Sequence, residues 1–432
     1  VGGQGEPTSG EDGVCMELMP GYKQTEVGVI PEDWSTARLS ALVERGSPIT
    51  YGVVKPGSND LDGVLFIRGG DIFAGKIEQR QLRKIPKAVS EKYKRTLLEG
   101  GEILVSLVGY PGEAAIVPPY LRGANIARQV ALVRLSNQLQ IFPDYICKFL
   151  QSDLGKRQLL KEAIGSAQQV INLRDIQKVA AVIPPTTSEQ RAIAEALSDA
   201  DVLIESLDQL IGKKRQIKQG AMQELLTGKR RLPGFGREWS TITMRDVLTM
   251  PATYGIVTAG AFIQNGVKML RGGDIFDGSI NNELPMVSLE KSAEYSRTVL
   301  TKNDVVIALV GYPGASAKIP DELIGSNISR AVGLLRLNDR VSPDYLVCML
   351  NSPDGRRMVL APSAGSAQQV VNLAALNKLQ FSIPVREEQE AIASIFNEMD
   401  TELAVLESRL TKARQIKQGM MQELLTGRIR LI

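Results

Sequence analysis

The rhythm of apolar and polar positions changes in a fixed order along the chain, and the whole order occurs twice. Compact runs of β-branched and apolar residues come first. ILVSLVGYPG from Ile103 and VVIALVGYPG from Val305 read as strands that end in a Pro-Gly turn. QVALVRL from Gln129 alternates well enough to be another strand, and RGGDIF from Arg68 and from Arg271 supplies a Gly-Gly turn. Helical patches then start at Pro143 and Pro343, where proline suits a first helical turn, and the second must break at Pro353. Last comes a long helix, spanning residues 188–227 in the first half. Its apolar seam is Leu197, Ala200, Ile204, Leu207 and Ile211, then Lys214, Lys218, Ala221 and Leu225. The counterpart seam is Phe396, Met399, Leu403, Leu406, Leu410, Ala413, Lys417, Met420 and Leu424. Steps alternate between four and three, the spacing of helices that wind together, and each rod would be roughly 55–60 Å long.

Helix ends are marked as well. Thr187 and Gln190 have capping-box spacing, Arg386 replaces that threonine in the second helix, and Gly228 and Gly427 stand where a C′ glycine belongs. Lys218 and Lys417 interrupt the seams, either as stems reaching outward from fraying ends or as register devices.

The recurrence is a duplication with a period of about 200 residues. TYGVV at Thr50 returns as TYGIV at Thr253, LVGYPG at Leu107 returns at Leu309, and NIARQVALVRL at Asn125 returns as NISRAVGLLRL at Asn327. GSAQQVINL at Gly165 and RQIKQGAMQELLTG at Arg215 also return, at Gly365 and Arg414. The expected fold class is α+β: two duplicated mixed α/β globules separated by a long antiparallel two-helix coiled coil with pseudo-twofold symmetry. The expected division is a flexible leader over 1–15, a first globule over 16–186 and a first spacer helix over 187–228. A second globule over 229–385 and a second spacer helix over 386–432 complete it.

Composition narrows the function. The 432 residues carry a net charge of +3 and no histidine, which removes the commonest general base, the usual zinc ligand and the Ser-His-Asp triad. Three cysteines make no disulfide framework, and Cys147 and Cys348 sit in matching apolar segments as small hydrophobes. No stretch approaches a membrane span and the start is not a signal peptide, so the expected place is the cytoplasm. Gly212–Lys213 and Gly228–Lys229 lack the rest of a Walker A loop; Ile183-Pro184-Pro185-Thr186 lacks the polar head and aromatic of an amino-methyltransferase tetrad. No G-x-G-x-x-G opens a helix. Two like globules on a rigid spacer suit the approximate twofold symmetry of duplex DNA, and would equally suit a duplicated adaptor that binds a symmetric protein rather than DNA.

The order of motifs resembles the specificity subunits of type I restriction–modification systems. It runs from YKQTEVGVIPEDW (22–34) through YG(I/V), RGGDI, VGYPG, NI.R, QV(I/V)NL and IP to EQ.AIA and QELLTG, and covers nearly the whole chain. The resemblance implies that the globules are target recognition domains, and that the helices space them and dock other subunits. It implies a non-catalytic reader of a bipartite DNA target with an unread gap, with related half-sites because the copies are so alike. Implied partners are double-stranded DNA, two methyltransferase subunits and restriction/translocase subunits, with no membrane; S-adenosylmethionine, ATP and Mg would belong to those subunits, none to this chain. A spacer helix that sets the gap predicts that an added helical turn, about 5.4 Å, changes the gap or kills the complex.

Arg pairs with guanine and Asn or Gln with adenine at base edges, so polar groups at turns are the candidate DNA contacts. They are Tyr51, Lys55 and Tyr254 in the first loops, Arg68 and Arg271 before the Gly-Gly turns, and Tyr110 and Tyr312 in the Pro-Gly turns. Asn125 with Arg128, Asn327 with Arg330, and Gln168, Gln169, Gln368 and Gln369 complete the set. Competing readings stay open: Arg68 could pair with Asp71, the tyrosines could be half-buried packing residues, and the Gln-Gly-Ser cluster could be a hydrogen-bonded loop. Loops that differ between copies, 56–62 against 259–266 and 76–83 against 278–284, would distinguish unequal half-sites.

Overall fold

The computed structural model describes residues 20–79, 82–161, 170–363 and 369–431. The leader, Gln168, Gln169 and Gln368 lie outside the described residues. By packing, the chain forms two units: Val1–Ser206 together with Leu410–Ile432, and Leu207–Arg409. The first is discontinuous in sequence, which a division into consecutive segments does not anticipate.

In the first unit, an antiparallel sheet runs in the order Ala114–Ile116, Ile103–Ser106, Val130–Val133, Thr50–Tyr51. Ile103–Ser106 and Val130–Val133 are buried throughout rather than half-exposed. Alternate side chains enter two different cores: Ile103, Val105, Ala131 and Val133 face one, and Leu104, Val130 and Leu132 the other. Covering both faces removes the polar partner positions of an ordinary alternating strand. A smaller mixed sheet sets Asn125–Ile126 parallel to Val64–Ile67, which pairs antiparallel with Arg83–Ile85. The first core also takes in the helix Pro143–Gln151, with Tyr145, Ile146, Phe149 and Leu150, and its roof comes from Leu424 and Leu425 at the end of the second long helix.

The second unit repeats this plan. Val306, Ala308, Val332 and Leu334 face one core while Val305 and Ile307 face the other, which Leu225 at the end of the first long helix and Leu226 just after it close beside Phe396. Both helical patches break at a serine, Ser152 or Ser352, whose hydroxyl caps the next helix by accepting from the glycine N–H three residues on. Pro353 therefore occupies a first-turn position at a break that the first copy makes without proline.

The long helices span Thr187–Leu225 and Arg386–Leu424. Of the seam, Leu197, Ile211, Leu225, Phe396, Leu403, Leu406, Leu410 and Leu424 are buried and Ile204, Leu207 and Met399 are half-buried. The off-seam Val202, Leu203, Leu210, Ile217, Val405 and Ile416 are exposed. Within the second unit the two helices run antiparallel: Lys214 pairs with Glu402 at 2.7 Å, and Lys218, further along, pairs with the earlier Asp400. Positive φ at Gly228 (71°) and Gly427 (73°) accounts for glycine after each helix.

The capping-box reading is corrected. Thr186, not Thr187, accepts the Glu189 N–H, at 3.2 Å. Gln190 clasps the globule instead: its Oε1 accepts from Phe142 N–H at 2.9 Å while its amide donates to Pro184 O at 3.2 Å. Gln389 does the same with Ser342 N–H (2.8 Å) and Pro384 O (2.9 Å). The seam lysines are not frayed stems. In the first unit Lys417 lies 2.5 Å from Asp201, which also accepts from Lys148 at 2.6 Å. Burial pushes the Asp201 carboxyl up, but the two ammonium groups prevail and hold it below the ordinary carboxylate range. That stabilisation exists above the unfolded pKa, about 3.9, and is lost as pH falls through the lower folded value. We expect Asp201→Asn to lower the urea midpoint of the first unit at pH 7, with the gap to wild type closing toward pH 3; a gap independent of pH would contradict this.

Among the described residues, no helix is long and apolar enough to cross a membrane, and no group of three or more His, Cys, Asp or Glu could hold a metal ion. Cys147 and Cys348 are free thiols pushed up to about 12 by burial, so they remain protonated, as packing residues do.

Candidate nucleic-acid interface

Four sequence segments that recur in both copies meet through backbone contacts. In the first unit, Val53 N–H donates to Ile126 O at 2.7 Å and Arg128 N–H to Val53 O at 2.9 Å, joining the TYGVV and NIAR segments. Ala127 N–H donates to Ile67 O at 2.9 Å, bringing in the strand that leads to RGGD. Leu107 N–H donates to Gln129 O, and Ser106 Oγ to Gly69 O at 3.0 Å, adding the VGYPG turn. The RGGD and VGYPG turns pack so closely that a Cβ on Gly69 would sit 1.9 Å from Val108 O, and one on Gly272 equally close to Val310 O. Side chains on these segments are thus mounted on a rigid frame.

Arg68 and Arg271 lie half-exposed on it, each gripped by the aspartate three residues later. Arg68 Nε and Nη2 donate to Asp71 at 3.0 and 2.8 Å, and Arg271 to Asp274 at 3.0 and 2.9 Å. Hydrogen bonding to the carboxylate outweighs desolvation and raises both guanidinium pKa values, so these cations are permanent and fixed in direction. Pairing with the aspartate and availability to a ligand therefore coexist, since Nη1 takes no part in the pair. Tyr51, Lys55, Arg128, Tyr254, Arg330 and Gln369 are exposed.

One expectation fails. Asn125 and Asn327 are fully buried, so neither can reach a base. Asn125 is a hub: its Oδ1 accepts from Thr96 Oγ1 (2.7 Å) and Ile126 N–H (2.9 Å), and its amide donates to Ser90 Oγ (3.1 Å) and Tyr93 O (3.4 Å). Asn327 repeats this with Thr298, Ile328, Ser292 and Tyr295. Tyr110 and Tyr312 are half-buried, as their packing reading has it, and still present 46% and 56% of their surface to solvent.

Phe73 and Phe276, the last residues of the recurring RGGDIF, were missed. They are 58% and 43% exposed and lie against those tyrosines, with ring centroids 4.8 Å apart for Phe73–Tyr110 and 5.4 Å for Phe276–Tyr312. Their signal was an identical aromatic in both copies next to a turn. The loops that differ between copies also differ in character: Leu61 is exposed in the first, Phe262 and Ile263 in the second.

A duplicated α+β globule with a rigid array of arginine and aromatic side chains, carried on long paired helices, defines a class of tandem recognition proteins. The family model described as the type I restriction modification DNA specificity domain matches twice, over residues 32–218 and 236–415. The chain belongs to that family. It is 32% identical over 207 residues to the type I restriction enzyme EcoBI specificity subunit of Escherichia coli, a match covering 46% of this chain and 43%, less than half, of that relative. It is 24% identical over 319 residues to the MjaVIII specificity subunit of Methanocaldococcus jannaschii, covering 69% and 73%. The crystal structure of the type I restriction–modification S subunit from M. genitalium shares the fold, with a TM-score of 0.56 at 16% identity over 90% of this chain and 96% of that one.

Proposed function

We propose that this chain is the DNA-reading subunit of a type I restriction–modification complex, in which each unit reads one half of a split target. The observation that carries the reading is the presence, in both units, of the same backbone-locked frame with exposed Arg68, Tyr110 and Arg128 or Arg271, Tyr312 and Arg330. Matching side chains read related half-sites. Lys55, which has Thr258 as its counterpart, and the dissimilar loops around Leu61 and Phe262 make the two halves unequal in detail.

The chain recognises and does no chemistry; S-adenosylmethionine, ATP and Mg serve methyltransferase and restriction subunits that it docks. The exposed apolar side chains off the helix seam, such as Val202, Leu203, Val405 and Ile416, give those subunits a place to bind. The working location is the cytoplasm, with the DNA. Co-expression with a methyltransferase subunit, followed by single-molecule mapping of methylated bases, tests the reading. The expected motif has two short, related parts separated by an unread interval. One contiguous motif would overturn the two-reader scheme, and unrelated halves would remove the kinship between them.

Arg128 and Arg330 occupy the same place in both copies, which suits phosphate contacts. Arg128→Ala is expected to reduce the slope of log affinity against log salt by about 0.9 while leaving base preference intact. An unchanged slope with a lost base preference would make Arg128 a base reader.

A further inference from the structure

Each unit holds a pair of exposed aromatic rings in contact. Water-facing phenylalanine is costly, and here the cost is met twice at equivalent positions. In the first unit Phe73 stands at the neck of a two-residue hairpin, paired with Lys76, with Ala74 and Gly75 both at positive φ (50° and 78°). This tight turn is the narrowest tip a β-ribbon can offer. Tyr110 comes from the VGYPG turn, whose Gly109 rests on the backbone of Gly69 and Gly70. The second unit builds Phe276 and Tyr312 on the same parts, with Phe276 opposite Ser279. The rings tilt by 49° and 45° to each other, and all four keep a large part of their surface in solvent. The turn that leads into each phenylalanine begins with an arginine fixed by its aspartate, Arg68 or Arg271. Neither pair is needed to fill a core.

We propose that Phe73–Tyr110 and Phe276–Tyr312 are apolar base-contacting tips, one for each half-site, that press on base edges in a groove of the duplex, the thymine methyl above all, while the arginine five residues before each phenylalanine fixes the approach. This rests on the DNA-reading function above and deepens it. Aromatic side chains on a fixed backbone lose little conformational freedom on binding, and burying them against bases recovers the cost of their exposure. Apolar contact with a base edge carries sequence information, because only thymine presents a methyl group in the major groove, whereas a phosphate contact carries none.

The test uses the full chain assembled with its methyltransferase partner, on the target mapped by methylation and on duplexes scrambled in one half or the other. Phe73→Ala is expected to weaken binding to the intact target about tenfold, to leave binding to fully scrambled DNA unchanged, and to abolish discrimination at bases in one half only. Phe276→Ala should do the same for the other half. Emission from Trp34 and Trp239 checks that each unit remains folded. An unchanged ratio of target to scrambled binding, or an equal loss on both, would overturn the assignment. A wild-type complex with no preference for its mapped target would instead overturn the DNA-reading function itself.

Discussion

Arg430→Met is expected to destabilise the first unit by about 3–5 kcal/mol, because it strands a buried charge. The Arg430 guanidinium bridges two carboxylates. It bonds Glu189 in the first turn of the first long helix, with Nη2 to Oε2 at 2.9 Å, and meets both oxygens of Asp33 at 3.0 Å. It also lies 5.5 Å from the centre of the Trp34 ring. Glu189 is almost wholly removed from water, so without the arginine its charge has neither solvent nor partner. Removing both members costs less than removing one, so Glu189→Gln in the Arg430→Met background should recover part of the loss. The chain offers its own probe. It contains two tryptophans, Trp34 in the first unit and Trp239 in the second. Urea unfolding followed by emission in a Trp239→Phe background reads the first unit alone. A midpoint unchanged by Arg430→Met would mean that the contact contributes nothing to folding.

Asn125→Leu is expected to cost about 3 kcal/mol or more, again in the first unit, with no loss of discrimination at any single base. Leucine strands the Ile126 N–H and takes the amide donor from Ser90 Oγ, while the Thr96 hydroxyl and the Tyr93 carbonyl keep only their bond to each other and the Thr96 N–H; an abandoned buried group costs about 1–3 kcal/mol. Asn125→Asp should be worse, since it places a carboxylate toward the Tyr93 and Ser90 carbonyls. If instead Asn125→Leu left stability intact and changed one position of the target, the buried assignment would be wrong.

These two residues show where sequence reading succeeded and where it stopped. The duplication, the strands before the Pro-Gly turns and the seam from Leu197 to Leu225 were legible, because each depends on local periodicity or on internal comparison. Asn125 was misread because its burial follows from parallel pairing with Val64–Ile67, some sixty residues earlier, and from Ser90 and Thr96 closing over it. Gln190 fits a local capping pattern, yet its partners lie in the globule, and no spacing rule distinguishes the two uses. Phe73 carried no site reading because RGGDIF was read for its Gly-Gly turn, and its ring partner Tyr110 comes from a turn that the chain reaches only 37 residues later. Arg430, in a tail with no periodicity, gave no local sign of its role.

The discontinuity of the first unit has a consequence for synthesis. The second unit is a single stretch and can close once Arg409 has left the ribosome. The first is synthesised earlier but cannot be finished until Leu424, Leu425 and Arg430 arrive to roof its core and pair with Glu189. A chain cut short before Leu424 therefore keeps an open, apolar core in its first globule, surface that invites aggregation.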